Sequence, residues 1–300
     1  GDTGGGGGPL PPSKIGPAPL IPGNYVINNT TVIVTDPTIT TDSVTHEGRI
    51  YRDAEQDGLL SQYLFGSTSA FDNQLGIDGP TGPVTPMTVY QFESLRLDGG
   101  ATYLTTGGPT RIALVARDGI TTGPSIAPIG MTLFGIDSMA LGTVNGPITI
   151  GPLFGFYSAG ASLYLYARGT AADLDLQGTL DFGNAEFSER LADAALAAER
   201  DVRISGDFYG RDLFVEAGRD VFQSAGDGAL NAANLSIRAG GNITLNGVTE
   251  SDFLYADAGG TVSIDGDSYH SSRQIDVVGQ RVVTGETQVF AYNTPASSSI

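Results

Sequence analysis

Leu235-Ser-Ile237-Arg-Ala239-Gly-Gly-Asn-Ile243-Thr-Leu245-Asn-Gly247 is the stretch on which the fold turns. Leu235, Ile237 and Ala239 alternate with Ser236 and Arg238, which gives a short strand one apolar and one polar side. Gly240 and Gly241 interrupt it; glycine reaches φ > 0 without steric cost, so a corner is expected there. Ile243 and Leu245 resume the alternation, and Asn246-Gly247 closes a second turn. The unit reads as strand, corner, strand, corner.

The same unit occurs on either side. Leu213-Phe-Val215-Glu-Ala217-Gly-Arg-Asp-Val221 lies 22 residues before it, and Leu254-Tyr-Ala256-Asp-Ala258-Gly-Gly-Thr-Val262-Ser-Ile264-Asp-Gly266 lies 19 after. A unit of this size cannot bury its own apolar side, and its repetition is the signature of a solenoid. Stacking at roughly 4.8 Å sets Glu216, Arg238 and Asp257 in one outward column of alternating sign, with Asn242 against Thr261 and Thr244 against Ser263. Gln223 then falls opposite Leu245, so the first copy is expected to leave register after Val221. Fainter copies start at Ile112, Met139 and Leu163, and another at Ile275, extending the repeat from about residue 90 to 290.

These patterns give an all-β chain, a parallel β-helix, in four parts. Residues 1–23 are a Gly/Pro-rich tether, and residues 24–89 an irregular β region with strands near Tyr25–Ile27 and Thr31–Val34. Asp53 to Leu64 is compatible with a short helix. The β-helix itself covers 90–290, with a helix expected near 184–200, where Phe187, Leu191, Ala194, Ala195 and Ala198 share a helical face and Glu186 precedes Arg190 by four residues. Residues 291–300 read as an unstructured tail.

Composition fits this reading. The 300 residues include 43 glycines and 16 prolines, many more than an ordinary domain needs, and no cysteine. The absence of cysteine excludes disulfides and thiolate metal sites. Thirty-three acidic residues against 15 basic ones give a net charge of −18, which argues against nucleic acid and anionic membranes as partners. No apolar run approaches the roughly 18 residues of a membrane span. The opening Gly1-Asp2-Thr3 and its glycine run read as a linker within a longer polypeptide.

Val215-Glu-Ala-Gly-Arg-Asp-Val221 and Ile237-Arg-Ala-Gly-Gly-Asn-Ile-Thr-Leu245 resemble the repeats of filamentous-haemagglutinin-like large exoproteins of Gram-negative bacteria, and Tyr90–Leu97 and Ser162–Gly169 are similar to interior stretches of such proteins. The resemblance spans about residues 90 to 290 and implies a right-handed parallel β-helix. It further implies a structural or adhesive stalk, secreted or displayed on the outer cell surface, whose partners are a host or neighbouring-cell glycan or protein and adjacent segments of the same polypeptide. No enzymatic activity, catalytic residue, metal or cofactor is expected. The family's N-terminal secretion domain has no match here. A solenoid segment taken alone has two open edges, so aggregation, or capping by adjacent sequence, is expected.

Parallel β-helices also carry polysaccharide lyases and hydrolases, which makes such an enzyme the runner-up. The candidate acidic groups are Asp173 with Asp175, Asp265 with Asp267, and Asp252 and Asp257 with Arg238. Spacing of two along a strand is what alternation produces anyway, so each reads first as a solvated outward pair. His46 and His270 have no neighbour at metal-ligand spacing. There is no Gly-x-Ser-x-Gly elbow, no P-loop, and no calcium nonapeptide, because Gly240-Gly241-Asn242-Ile243 and Gly259-Gly260-Thr261-Val262 both lack the third glycine. Tyr164, Tyr166, Phe214 and Tyr255 fall on the outward side, either to stack on sugars in a carbohydrate-binding module or, more simply, to lie beneath the inserted helix or a flanking loop.

Overall fold

The computed structural model describes residues 20–34, 49–51, 87–104, 111–170, 172–184, 189–224, 228–264 and 270–284. Among these residues there is no helix, and 22 strands join in one hydrogen-bonded network with two further strand pairs beside it. Within the network every pairing is parallel except that of Arg49–Tyr51, which runs antiparallel to the start of Met87–Leu97. The chain is a parallel β-solenoid.

The repeat register is met residue by residue. Ile112, Met139, Leu163, Ala194, Leu213, Leu235, Leu254 and Ile275 form one column, so successive coils take 27, 24, 31, 19, 22, 19 and 21 residues. The column Glu216, Arg238, Asp257 is present as expected. Gln223 does not leave register: it pairs with Leu245 and is fully buried in an otherwise apolar column. The Nε2 half of its amide donates to the carbonyls of Gly228 at 3.2 Å and Val248 at 3.0 Å, which offsets part of the cost of burial, while its Oε1 is buried without a hydrogen-bond partner.

Each coil has three sides rather than the two expected. Strands such as Arg111–Ala116, Ser138–Thr143, Ser162–Ala167 and Ala194–Ala198 stack on the first side. Ile120–Thr122, Ile148–Ile150, Leu174–Leu176, Val202–Ile204 and Val221–Gln223 stack on the second. The third is formed by Ile129–Thr132, Phe154–Tyr157 and Thr179–Asp181, and then by the opening residues of Phe208–Ala217, Ala229–Ala239 and Val248–Ala258, which bend onto the first side. Inside, side chains from all three sides make one continuous core, including Leu141, Leu165, Leu196, Val215 and Ile237 from the first and Phe156, Leu180 and Phe208 from the third. Burying each such side chain contributes roughly 1.5–3 kcal/mol before entropy is counted.

The helix expected near 184–200 is not formed within residues 189–200. Glu189–Arg190 pairs antiparallel with Gly183–Asn184, and Ala194–Ala198 is a parallel strand between Leu163–Ala167 and Leu213–Ala217. All five residues of Ala194–Ala198 are buried. Alanine is the best helix former in isolation, but coils above and below supply a ladder for every backbone group here, and that tertiary pairing wins.

The corners also work differently from the expectation. Neither Gly240 nor Gly241 has positive φ. Instead, a Cβ on Gly240 would stand far inside van der Waals contact with the carbonyl oxygen of Gly218, one on Gly218 would strike Glu199 O, and one on Gly259 would strike Gly240 O. The glycines are required by coil-on-coil approach, not by a left-handed backbone.

At the N-terminal end, Leu20–Ile27 begins inside the stretch read as a tether and pairs in parallel with Met87–Leu97, and Val32–Val34 pairs with Thr102–Leu104. The short helix near 53–64 and the tail 291–300 lie outside the described residues.

Candidate functional site

From Leu174–Leu176 onward, the residue immediately before the first inward side chain of each second-side strand makes a polar column: Asp173, Asp201, Asp220, Asn242, Thr261. Each Asp or Asn side chain accepts a hydrogen bond from the backbone N–H of its counterpart on the next coil. The distances are 3.3 Å from Asp201 to Asp173, 3.4 Å from Asp220 to Asp201, 2.7 Å from Asn242 to Asp220 and 2.9 Å from Thr261 to Asn242. A corner N–H turned away from the ladders is thereby satisfied, as buried or half-buried backbone requires.

Arginines complete the first two rungs. Asp173 is held by Arg200 at 2.6 Å and Arg203 at 2.9 Å. Asp201, only 6% exposed in its side chain, takes Arg203 at 2.8 Å and both forks of Arg219. Planar guanidinium and carboxylate suit such two-pronged contacts. The Asp173 carboxyl is held well below the usual range, first by the Arg200 hydrogen bond, and Asp201 is lowered first by Arg219. Both carboxylates are engaged with arginines, and the contacts of Arg200 and Arg203 with Asp173 and of Arg219 with Asp201 join neighbouring coils.

A pH dependence follows. Both carboxyls titrate lower in the folded chain than unfolded, so their stabilisation is complete above the unfolded range at about pH 4 and is lost as pH falls through the folded values. Thermal melts followed by circular dichroism are expected to be flat from about pH 7 to 5 and to fall steeply below about pH 4. An Asp173→Asn/Asp201→Asn double variant should lose part of that acid limb, and an unchanged limb would contradict the assignment.

The other acidic candidates are dispersed. Asp175 accepts from Gln177 at 2.9 Å, Asp252 faces Arg190 at 3.9 Å, and Asp257 accepts from the Tyr255 hydroxyl at 3.1 Å. Arg238 lies over the Tyr255 ring, 5.8 Å from its centroid, an arrangement attractive through the ring quadrupole. Asp265, Asp267, His46 and the side chain of His270 lie outside what the structure describes. Among the described residues no group of three His, Cys, Asp or Glu side chains could hold a metal ion.

The outward aromatics do not form an open row. Tyr164 is 9% exposed and belongs to a second apolar cluster with Val89, Ala113, Val115, Ala140, Ala195 and Ala197, against which Tyr166 and Phe214 pack. One outward column thus runs Val89, Ala113, Ala140, Tyr164, Ala195, Phe214 and turns polar at Ser236. The outer surface of the first side is apolar over the earlier coils and charged from Glu216 onward. The signal available in the sequence was the unbroken apolar run Ile112-Ala-Leu-Val-Ala116, which marks a strand covered on both faces. No protein-family model, no curated protein and no solved structure matches this chain.

Proposed function

We propose that this chain is a structural or adhesive stalk segment of a large secreted or surface-displayed bacterial protein, its task mechanical rather than catalytic. The observation that carries the proposal is the Asp173-to-Thr261 column, in which side chains that a polysaccharide-cleaving β-helix would devote to chemistry are spent on tying coil to coil. Among the described residues ten strands stack on the first side between Leu20–Ile27 and His270–Val278, a height of roughly 43 Å at the usual strand spacing. Every coil contacts only its neighbours, so load along the axis is shared among backbone ladders. The motifs in 90–290 that resemble filamentous-haemagglutinin-like exoproteins support the same reading, as does an acidic surface that keeps a long exposed rod soluble.

Display is tested by labelling unpermeabilised cells of the source organism with antibodies raised against the purified chain, alongside fractionation of the culture medium. Label on the cell surface, or the chain in the medium, is expected. Signal confined to permeabilised cells and the cytosolic fraction would sink the proposal.

A further inference from the structure

A groove of about 530 Å³ opens on the third side, lined by residues 132–137, 157–161, Asp181 and Gly183. Its walls are fixed. Leu133 and Ile136 are buried at 3% and 7%, while Phe134 between them is 81% exposed. Gly135, at φ 77°, makes the left-handed turn that lets the chain dip back into the core on both sides of that ring. The amide of Leu133 donates to Tyr157 O at 2.8 Å, joining the two walls. Opposite, the Ser158 hydroxyl accepts from the N–H of Gly160 at 3.2 Å and of Ala161 at 2.7 Å, closing the 158–161 loop.

Tyr157 is held just as firmly. Gly130 and Gly155 pair across adjacent coils, and the edge of the Tyr157 ring occupies the space their Cβ atoms would need: Cε2 lies 2.5 Å from the Gly130 position and the hydroxyl 2.5 Å from the Gly155 position. The ring therefore has a prepared seat on bare backbone, yet the residue is 40% exposed. Asp181, paired in register with Tyr157, lines the same groove, and its Oδ1 has no hydrogen-bond partner. Two rings, Phe134 on the turn at Gly135 and Tyr157 at the end of its strand, beside the Asp181 carboxylate are what a hydroxyl-rich, partly apolar ligand needs.

We propose that this groove binds a neutral saccharide, with Tyr157 and Phe134 stacking on sugar rings and the Asp181 carboxylate, which lines the groove, accepting from a sugar hydroxyl. The charge of −18 disfavours anionic glycans. A basic peptide would find carboxylates over the whole surface and no reason to choose this groove, whereas the two presented rings distinguish it. The inference concerns a ligand and stands apart from the display test above.

The test is calorimetric titration of the full chain with neutral tetra- to hexasaccharides of glucose, xylose, mannose and N-acetylglucosamine, with tetragalacturonate and tetralysine as charged comparisons. At least one neutral oligosaccharide is expected to bind in the millimolar range, Tyr157→Ala weakening it about tenfold and Phe134→Ala severalfold. Phe134 is 81% exposed, so melts of Phe134→Ala followed by circular dichroism should be unchanged, whereas Tyr157→Ala empties the seat on Gly130 and Gly155 and should melt somewhat lower but still in one cooperative transition. Three results would overturn the proposal: no neutral oligosaccharide binding at about 10 mM, binding indifferent to both substitutions, or ring-dependent binding of tetralysine or tetragalacturonate alone.

Discussion

Gly206→Ala is expected to be, with Gly146→Ala, among the most damaging single-methyl changes at the described glycines. A Cβ at Gly206 would be driven into the carbonyl oxygen of Gly178, and the same column continues through Gly228, whose Cβ would meet Gly206 O at 2.5 Å, and Gly247, whose Cβ would meet Gly228 O at 2.8 Å. The obstacle is backbone fixed by ladders on both sides, so it cannot swing away as a side chain would. Overpacking of this kind costs about 3 kcal/mol or more when nothing yields. Gly279→Ala provides the internal comparison, because its Cβ would sit 3.2 Å from Gly260 O, close enough to be felt but within reach of a small shift. Urea unfolding should place Gly206→Ala far below wild type and Gly279→Ala only slightly below. Equal midpoints would mean that coil spacing is not set by these glycines.

Leu196→Ala is the second. Leu196 is fully buried, with Leu165 and Val215 directly on either side of it in the first-side column. Neighbouring coils are pinned by hydrogen bonds and cannot collapse into the space, so a loss of about 2–5 kcal/mol is expected. Ile275→Ala, on the last described coil, should cost about 1 kcal/mol, because Ile275 is only partly buried and its coil leaves Val278 and Val282 at 52% and 39% exposure. A solenoid is a chain of nearest-neighbour interfaces, so a central defect should also broaden or split the transition, whereas a terminal one should fray only the end. Identical losses at the two positions would argue against that one-dimensional behaviour.

Where alternation was clean, reading it forward reproduced the structure. Leu213, Leu235 and Leu254 stack at the steps counted from the repeat, and Glu216, Arg238 and Asp257 line up outside them. The reading failed where both faces of a strand are covered. In Ala194–Ala198 inward and outward residues are all alanine or leucine, so period-two contrast vanishes and helix propensity was left as the only local signal. The same cause hid the burial of Tyr164. The third side was missed because its strands, such as Phe154–Tyr157 and Thr179–Asp181, are three or four residues long and separated by loops of changing length.

The groove at Tyr157 could not be found from the chain alone. Gly130, Gly155, Phe134 and Asp181 carry no common motif, and they meet only because coils of 24 to 31 residues bring positions far apart in sequence to one patch of surface.

The sequence by itself determined that this is a stack of parallel coils, because a twenty-residue unit with one apolar side has no other way to bury it. Only the tertiary structure decided that each coil has three sides and that the corner glycines serve close approach. It alone decided that Asp173 and Asp201 are bonded to the next coil and that one outer face is apolar. Those outcomes depend on what lies one coil above or below, and vertical neighbours are not neighbours in the chain.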